Sequence, residues 1–155
     1  MSDNIKRPGV GVCVFIIHDG KFLIGKRKSA HAYGTFACPG GHLEFMESWE
    51  NCAIRETHEE TGLVVKNPKF VGLTNDFYPD EDKHMITISM LCRYGRGEAK
   101  VMEPEKCAEW RWVDLDSLPD NLMSAFSNYL NSEFVDVLKR ELAKSKKDDS
   151  EMEVK

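Results

Sequence analysis

Three glutamates crowd the C-terminal end of a predicted helix. Glu56, Glu59 and Glu60 lie in the run RETHEETGL, where the helix macrodipole already disfavours negative charge. Arg55 can pair with Glu59 at i,i+4, but one guanidinium cannot neutralise three carboxylates. Oxygen ligands without a thiolate or a His-x-x-x-His pair suit a hard divalent cation such as Mg²⁺ or Mn²⁺, which bridges to phosphate oxygens. The cluster therefore predicts metal-assisted chemistry on a phosphorylated ligand.

The same helix is predicted to turn two of these glutamates inward. At about 100° per residue, an apolar stripe begins with Trp49, Cys52 and Ala53. Glu56 and Glu60 continue that stripe, so the face predicted to be buried becomes acidic. A solvated acidic face is the alternative interpretation of such a charge run. The alignment of the glutamates with the apolar stripe weakens that alternative. Partly desolvated carboxylates require a compensating cation, so the cluster marks a candidate functional site.

Strands and helices are predicted on both sides of this helix. Asp19-Gly20 predicts a tight hairpin turn within residues 10–28, and Ser48 and Gly62 predict the start and end of a helix of about 14 residues. The remaining predicted elements are strands near 69–77, 84–94 and 110–113, and one or two helices over 121–144. This order indicates an α/β (α+β) layered fold, with one domain over 1–144 and a disordered charged tail over 145–155.

Composition excludes several classes of protein. The chain has 155 residues, a net charge of −5 and five widely spaced cysteines without a C-x-x-C pair. The acidic balance disfavours a nucleic-acid polymer as partner, and the cysteine pattern predicts neither a disulfide framework nor a zinc site. The N-terminal residues lack a signal peptide, and no run approaches the roughly 20 apolar residues of a membrane span. We therefore expect a cytoplasmic protein without a membrane partner.

The spacing of the acidic residues resembles a known signature. Gly41, Glu47 and residues 55–63 (RETHEETGL) follow one another at intervals of five and seven residues. This pattern resembles the Nudix hydrolase signature G-x5-E-x7-R-E-U-x-E-E-x-G-U, in which U is aliphatic. Two departures are visible: Thr57 replaces an aliphatic residue, and Met46 stands where many relatives have glycine.

The resemblance implies a fold, a reaction and roles for named residues. It implies an α/β/α sandwich with a mixed β-sheet, and hydrolysis, with a divalent metal such as Mg²⁺ (or Mn²⁺), of a nucleoside diphosphate linked to another group. Carried over by position, the roles are metal ligands (Glu56, Glu60 and the Gly40 carbonyl), a further ligand or water-activating group (Glu59), a residue that orients a glutamate (Arg55) and a brace for the loop (Glu47).

Further stretches resemble one branch of the family. RPGVGVCVFI, GKRK, PGGHLEF and MEPEKCAEWRWV are similar to MutT-like nucleotide-sanitising enzymes. The likeness is greatest to the small eukaryotic cytosolic group that hydrolyses oxidised or modified nucleoside triphosphates, such as 8-oxo-dGTP, to a monophosphate and pyrophosphate. The implied partner is a small-molecule nucleotide. A homodimer is also implied by the resemblance, although no segment of the sequence demonstrates it.

Several residues are candidates for contacting such a substrate, each with a structural alternative. The candidates are Lys26, Arg27, Gly41, His42, Thr87, Glu103 and Lys106. Ordinary roles at a strand end, in a loop, in a strand or in a surface turn are the alternatives for these positions. Three aromatic residues are candidates for stacking on a base, with a place in the core as the alternative: Phe36, Trp110 and Phe126.

Two other functions stay open from the sequence. Pro79 falls 16 residues after Leu63, with Tyr78 beside it; some Nudix ADP-ribose hydrolases carry proline, and dinucleoside polyphosphate hydrolases tyrosine, near this distance. A surface turn explains both residues equally well. A Nudix domain that binds nucleotide without catalysis is the third hypothesis. The intact glutamates disfavour it, because a pure binding protein has no reason to keep a costly acidic cluster.

Overall fold

A mixed seven-stranded sheet organises the described part of the chain. The computed structural model describes residues 4–154, with side chains to residue 149, so the expectations for residues 1–3 and Lys155 lie outside the described residues. The strands are β1 (Gly9–His18), β2 (Lys21–Arg27), β3 (Phe36–Ala37), β4 (Gly40–His42), β5 (Val64–Tyr78), β6 (Lys83–Arg96) and β7 (Cys107–Val113). The helices are α1 (Trp49–Thr61), α2 (Ser124–Leu130) and α3 (Val135–Val154), and a short 3-10 turn spans Pro79–Glu81.

Strand β1 is central and joins the two halves of the sheet. The order is β3-β2-β1-β6-β5, with β4 paired to β1 and β7 to β2. Only the pairing of β1 with β6 is parallel among the described strands. The register of that pairing runs from Gly9↔Met85 to Ile17↔Arg93. The sheet is therefore mixed, as predicted.

The predicted hairpin is confirmed in position and in turn chemistry. Strands β1 and β2 pair through Ile17↔Phe22 and His18↔Lys21. The two turn residues, Asp19 and Gly20, have φ values of 49° and 75°. Positive φ at both central residues is the backbone of a two-residue turn that follows the twist of the strands, which explains the Asp-Gly sequence.

Helix α1 begins and ends where its caps predict. The Ser48 hydroxyl accepts a hydrogen bond from the Asn51 N–H at 3.1 Å, and Gly62 adopts φ 77° while its N–H donates to a carbonyl of the last turn. Cys52 is fully buried, but the prediction that Trp49 shares the buried stripe is wrong, because Trp49 is 41% exposed. Trp49 lies in the first turn, beside the edge strand β5, and its ring packs against Phe70 at 5.9 Å.

The two faces of the sheet are covered by different helices. On one face, Cys52 and Ala53 of α1 pack in a buried cluster with Val14, Ile88 and Met90. On the opposite face, α2 and α3 complete a second cluster, whose buried members from these helices are Phe126, Tyr129, Leu138 and Leu142. Helices on both sides of a mixed sheet make the α/β/α sandwich that the sequence predicts.

The C-terminal segment is ordered further than the sequence predicts. Helix α3 continues to Val154, so a disordered tail from residue 145 is a wrong prediction for residues 145–154. Ser145 is buried and its hydroxyl accepts a hydrogen bond from the Gly20 N–H at 3.4 Å, while the Asp149 carboxylate accepts one from the Asp19 N–H. The helix continues because the hairpin turn supplies donors for its polar side chains. That residues 1–144 form one domain stays a prediction.

None of the helices in the described residues combines the length and apolar character that a membrane crossing requires.

One buried hydroxyl of α1 yields a stability prediction. Thr57, at the aliphatic position of the signature, is fully buried, and its Oγ1 has no hydrogen-bond partner. We expect Thr57→Val to raise the free energy of unfolding by about 1–3 kcal/mol, because the isosteric methyl removes an unsatisfied polar group. Thr61→Val is the matched control, since that hydroxyl donates to the Thr57 carbonyl at 2.7 Å and accepts from the Leu63 N–H at 3.1 Å. Urea unfolding should show opposite signs for the two variants; a loss of stability in Thr57→Val would contradict the assignment.

Candidate functional site

A cleft of about 450 Å³ is lined by residues of β1, β2, β4 and β6 and by residues of both α1 and α2. Its acidic side is formed by Glu56 and Glu60 of α1 together with the glycines of β4. Its other side includes Thr87 from β6 and Phe126 from α2. Acidic and apolar groups thus share one cavity of the size that small-molecule ligands occupy.

The glycines of β4 allow the glutamates to approach the sheet. Gly40 pairs with Cys13 of β1, and its N–H donates to Glu60 Oε2 at 3.1 Å. A Cβ at Gly40 would lie 2.1 Å from the carbonyl oxygen of Val12, and a Cβ at Gly41 would lie 2.4 Å from Glu56 Cδ. Only glycine leaves room for this close contact between strand and helix.

Arg55 links three of the glutamates through one guanidinium. Its Nε and Nη2 donate to the two oxygens of Glu47 at 2.7 and 2.9 Å. Its Nη1 donates to Glu56 Oε1 at 2.8 Å and to Glu59 Oε2 at 3.2 Å. The bidentate pair fixes the plane of the guanidinium and so orients the Glu56 carboxylate toward the cleft.

The loop between β4 and α1 is closed by Glu47. The Glu44 N–H donates to Glu47 Oε1, and the Glu47 N–H donates to the Glu44 carbonyl, both at 3.1 Å. Met46, within this loop, is exposed and has φ 67°. Left-handed backbone is the conformation that glycine adopts most easily, so the methionine at this position is a strained choice. The geometry supports the predicted role of Glu47 as a brace.

Burial makes Glu56 and Glu60 poor anions in the absence of a cation. It raises the pKa of Glu60 to about 8; the Gly40 N–H opposes this shift, and the Glu56 and Glu103 carboxylates add to it. Burial also raises the pKa of Glu56, against the hydrogen bond from Arg55. A divalent cation between these carboxylates would relieve both the burial and the mutual repulsion.

The donor set fits a hard cation only in part. Glu56, Glu60 and Gly40 all belong to the lining of the cleft, where the two carboxylates would offer oxygen ligands to a cation. Glu59 is outside the lining of the cleft, with a side chain 51% exposed and paired to Arg55. Within residues 4–149, no group of three or more His, Cys, Asp or Glu side chains is gathered at metal-binding distance. The structure therefore brings two of the three predicted glutamate ligands together.

All the substrate-binding candidates lie around this cleft. Its lining contains Lys26, Arg27, Gly41, His42, Thr87, Glu103 and Lys106. Lys106 Nζ donates to Glu103 Oε2 at 3.3 Å, and Arg27 Nε donates to the His31 carbonyl at 2.9 Å. Of the stacking candidates, Trp110 and Phe126 line the cleft, whereas the buried ring of Phe36 is outside its lining and contacts Arg111.

Two residues near the cleft were not among the site residues predicted from the sequence. Tyr78, which the sequence left open between a substrate-related position and a surface turn, is buried and lines the cleft. Asp76 is fully buried and accepts a hydrogen bond from the Thr87 hydroxyl. The alternation Thr74-x-Asp76-x-Tyr78 in a strand is the signal that could have found both, because alternate residues share a face.

The bond between Glu47 and Arg55 predicts an acid-dependent loss of stability. Hydrogen bonds from Arg55 lower the pKa of Glu47 from 4.5 to about 2. A depressed folded-state pKa contributes stability above the unfolded pKa and loses it as the pH falls toward the folded value. We expect wild type to be more stable than Glu47→Gln at neutral pH and this difference to shrink between about pH 4.5 and pH 2.

Urea unfolding of both proteins across that pH range measures the difference. Glu98→Gln, which changes an exposed glutamate, controls for the general effect of removing one negative charge. A stability difference between wild type and Glu47→Gln that does not depend on pH would contradict the assigned bond.

Comparison with known proteins supplies the family. A model of the NUDIX domain matches residues 6–133. An ADP-ribose pyrophosphatase of Methanocaldococcus jannaschii is 39% identical over 114 residues, which cover 72% of this chain and 65% of the relative. A NAD-capped RNA hydrolase, NudC, of Stutzerimonas stutzeri is 28% identical over 106 residues, which cover 68% of this chain and 37% of the relative. The matches thus span less than two thirds of each relative's length.

A solved structure agrees in fold. The MutT NUDIX hydrolase from Burkholderia pseudomallei superposes with a TM-score of 0.77 at 29% identity, and the match covers 83% of this chain and 99% of that one. The family model extends over both faces of the sandwich and includes the strand, loop and helix that hold the acidic cluster. This chain belongs to the NUDIX domain family.

Proposed function

We propose that this protein hydrolyses a phosphoric anhydride bond of a small nucleotide, with Mg²⁺ (or Mn²⁺) as cofactor. The observation that carries the proposal is the position of Glu56 and Glu60, two partly buried carboxylates that line the same cleft as Thr87 and the aromatic ring of Phe126. One end of this cleft suits a metal-bound polyphosphate, and the other suits a base.

The residues of the chain divide the work of binding and orientation. When bound, the cation neutralises the polyphosphate and lowers the pKa of a water molecule. Lys26, Arg27 and Lys106 bind phosphate oxygens by charge-assisted hydrogen bonds. Arg55 holds Glu56 toward the cleft, and Glu47 holds Arg55. Glu59, which lies outside the lining of the cleft beside Arg55, is proposed as a further metal ligand or as the group that activates water.

The first substrate candidate is an oxidised or modified nucleoside triphosphate such as 8-oxo-dGTP, cleaved to monophosphate and pyrophosphate. Four cationic side chains line the cleft, Lys26, Arg27, Lys83 and Lys106. Together with a metal ion held by the glutamates of the same lining, they suit a triphosphate. The likeness to eukaryotic sanitising enzymes rests on residues such as PGGHLEF, whereas the relatives described above are archaeal and bacterial. This proposal also places the protein in the cytoplasm and makes it a homodimer. A measurement of its mass in solution tests the dimer.

ADP-ribose is the second candidate. It is favoured by the 39% identity to the M. jannaschii pyrophosphatase and by the position of Tyr78 in the cleft, next to Pro79. The same tyrosine also makes a dinucleoside polyphosphate a candidate substrate. A domain that binds nucleotide without hydrolysing it is the alternative of a different class.

A substrate panel with identified products separates these functions. 8-oxo-dGTP, dGTP, ADP-ribose and a dinucleoside polyphosphate are incubated with Mg²⁺, and the products are resolved by chromatography. Monophosphate and pyrophosphate from the triphosphates support the first candidate, whereas AMP from ADP-ribose alone supports the second. If binding is measured without product from any of the four, the proposed hydrolysis is wrong and the binding domain is supported.

A further inference from the structure

Asp76 of β5 lies beneath the cleft and collects three hydrogen-bond donors. Its Oδ2 accepts from the Thr87 hydroxyl at 2.6 Å and from the Thr74 hydroxyl at 3.1 Å. Its Oδ1 accepts from Asn128 Nδ2 of α2 at 2.8 Å. The register of β5 and β6 makes this possible, because Thr74 lies opposite Thr87 and Asp76 opposite Met85 on the same face of the sheet.

The environment of Asp76 is unusual for a carboxylate. The residue is fully buried, and across residues 4–149 no lysine or arginine forms an ion pair with it. Neutral donors satisfy it instead. Burial of a carboxylate without a cation is costly, so a hydroxyl pair packed by apolar residues would be the less expensive arrangement if Asp76 contributed only to folding. The cost indicates a role in the adjoining cleft.

That role follows from the single proton of a threonine hydroxyl. Thr87 lines the cleft, and its hydroxyl has one donor and two acceptor positions. Because a carboxylate acts only as an acceptor, the 2.6 Å contact commits the Thr87 proton to Asp76. The lone pairs of Thr87 are then what a ligand in the cleft meets.

We propose that Asp76 is a positioning residue that makes Thr87 an obligate hydrogen-bond acceptor, so that the cleft selects nucleobases with an N–H donor at this point. Asn128 contributes by occupying the other oxygen of Asp76, which fixes the plane of the carboxylate. The inference rests on the proposed function, which supplies a nucleotide as the ligand. It goes further by specifying that the base must carry a hydrogen-bond donor.

The proposed cleft would distinguish purines by whether their six-membered ring carries an N–H donor. Guanine, hypoxanthine and adenine each carry at least one N–H on that edge, whereas unsubstituted purine offers acceptor nitrogens only. A site built to accept a hydrogen bond from the ligand rejects an analogue that lacks the donor, because the acceptor is left unpaired. The analogue without a donor adds no bulk, so a loss of affinity reports polarity rather than shape.

The test measures binding and turnover separately for four bases. Dissociation constants are measured with the 5′-monophosphates of guanosine, inosine, adenosine and purine riboside, which have no anhydride bond, and kcat and KM are measured with the corresponding triphosphates and Mg²⁺. The proteins are wild type, Asp76→Asn, Thr87→Val and Thr87→Ser. Thr74→Val is the matched control, because Thr74 donates to the same carboxylate but is not among the residues lining the cleft.

We expect wild type to bind its preferred donor-bearing base about 10-fold or more tightly than purine riboside. In Thr87→Val, this ratio should fall to about threefold or less. In Asp76→Asn, the new amide can donate to Thr87 and release the threonine proton toward the cleft, so the ratio should fall and purine riboside should gain affinity. The effect should appear in KM rather than kcat, and Thr87→Ser and Thr74→Val should keep the wild-type ratio.

Other outcomes identify which idea fails. A wild-type ratio near one, or an unchanged ratio in Asp76→Asn, would overturn the role of Asp76 even if hydrolysis proceeds. A base preference in the dissociation constants without hydrolysis would overturn the proposed function and leave the role of Asp76 supported. Failure of all four monophosphates to bind would overturn the inference.

Discussion

Glu60→Gln is expected to lower kcat by several orders of magnitude while the fold stays intact. The substitution removes a charge that would bind the metal ion but keeps the volume of the side chain, and the amide can still accept the hydrogen bond from the Gly40 N–H. Glu60 has the most strongly raised pKa among the glutamates of the cluster, because burial penalises its charge. Steady-state rates with the best substrate of the panel measure the loss.

The same variant should change the response of thermal stability to Mg²⁺. A cation that binds the folded protein raises the melting temperature by mass action, and removal of a ligand weakens that effect. We expect Mg²⁺ to raise the melting temperature of wild type more than that of Glu60→Gln. Glu50→Gln is the matched control, because Glu50 lies in the first turn of the same helix. Near-normal turnover in Glu60→Gln, or a melting temperature of wild type that is indifferent to Mg²⁺, would contradict the metal site.

Arg55→Lys should cause the second largest loss. A lysine ammonium cannot reproduce the fork that reaches both oxygens of Glu47 and also Glu56. The freed Glu56 would turn away from the cleft, and misplacement of a binding group by about 1 Å can cost about 100-fold in rate. The broken charge-assisted bonds should also lower the free energy of unfolding by about 1.5–3 kcal/mol.

Arg111→Lys is the control for this prediction. Arg111 pairs with Glu109 at 2.6 Å, but both side chains are close to half exposed. An exposed ion pair is worth little, and a lysine ammonium can keep the cation–π contact that Arg111 makes with the Phe36 ring. We therefore expect a stability change within about 0.5 kcal/mol and no change in rate. Steady-state kinetics and urea unfolding measure the rate and the free energy of unfolding of both lysine variants. Equal effects at the two arginines would show that the contacts of Arg55 do not matter for the site.

The parts of the fold that the sequence predicts are those with local signals. The Asp19-Gly20 turn and the caps Ser48 and Gly62 act over a few residues, and each is found where predicted. Trp49 and the helical segment after residue 144 were wrongly predicted because distant contacts decide them. Trp49 lies beside an edge strand, and α3 is extended by its contacts with the hairpin turn.

The same division holds for the candidate site. Gly41, Glu56 and Glu60 lie in one short segment, so the acidic side of the cleft could be predicted from the sequence. The network of Asp76 could not, because Asn128 comes from a position 52 residues away and Thr87 reaches Asp76 through the pairing of β5 with β6. The polar alternation along β5 indicates a shared face of the strand, but strand register and helix packing decide which residues meet Asp76 there.

The parallel pairing of β1 with β6 has a consequence for the kinetics of folding. Cys13 and Ser89 meet across this pairing although 76 residues separate them. Closure of so long a loop is entropically slow, and parallel strands form late for the same reason. The acidic helix can therefore form early from its own caps, while the floor of the cleft exists only once both ends of the sheet have been synthesised and joined. Nucleotide affinity should consequently appear in the last phase of refolding, after helical circular dichroism has been regained.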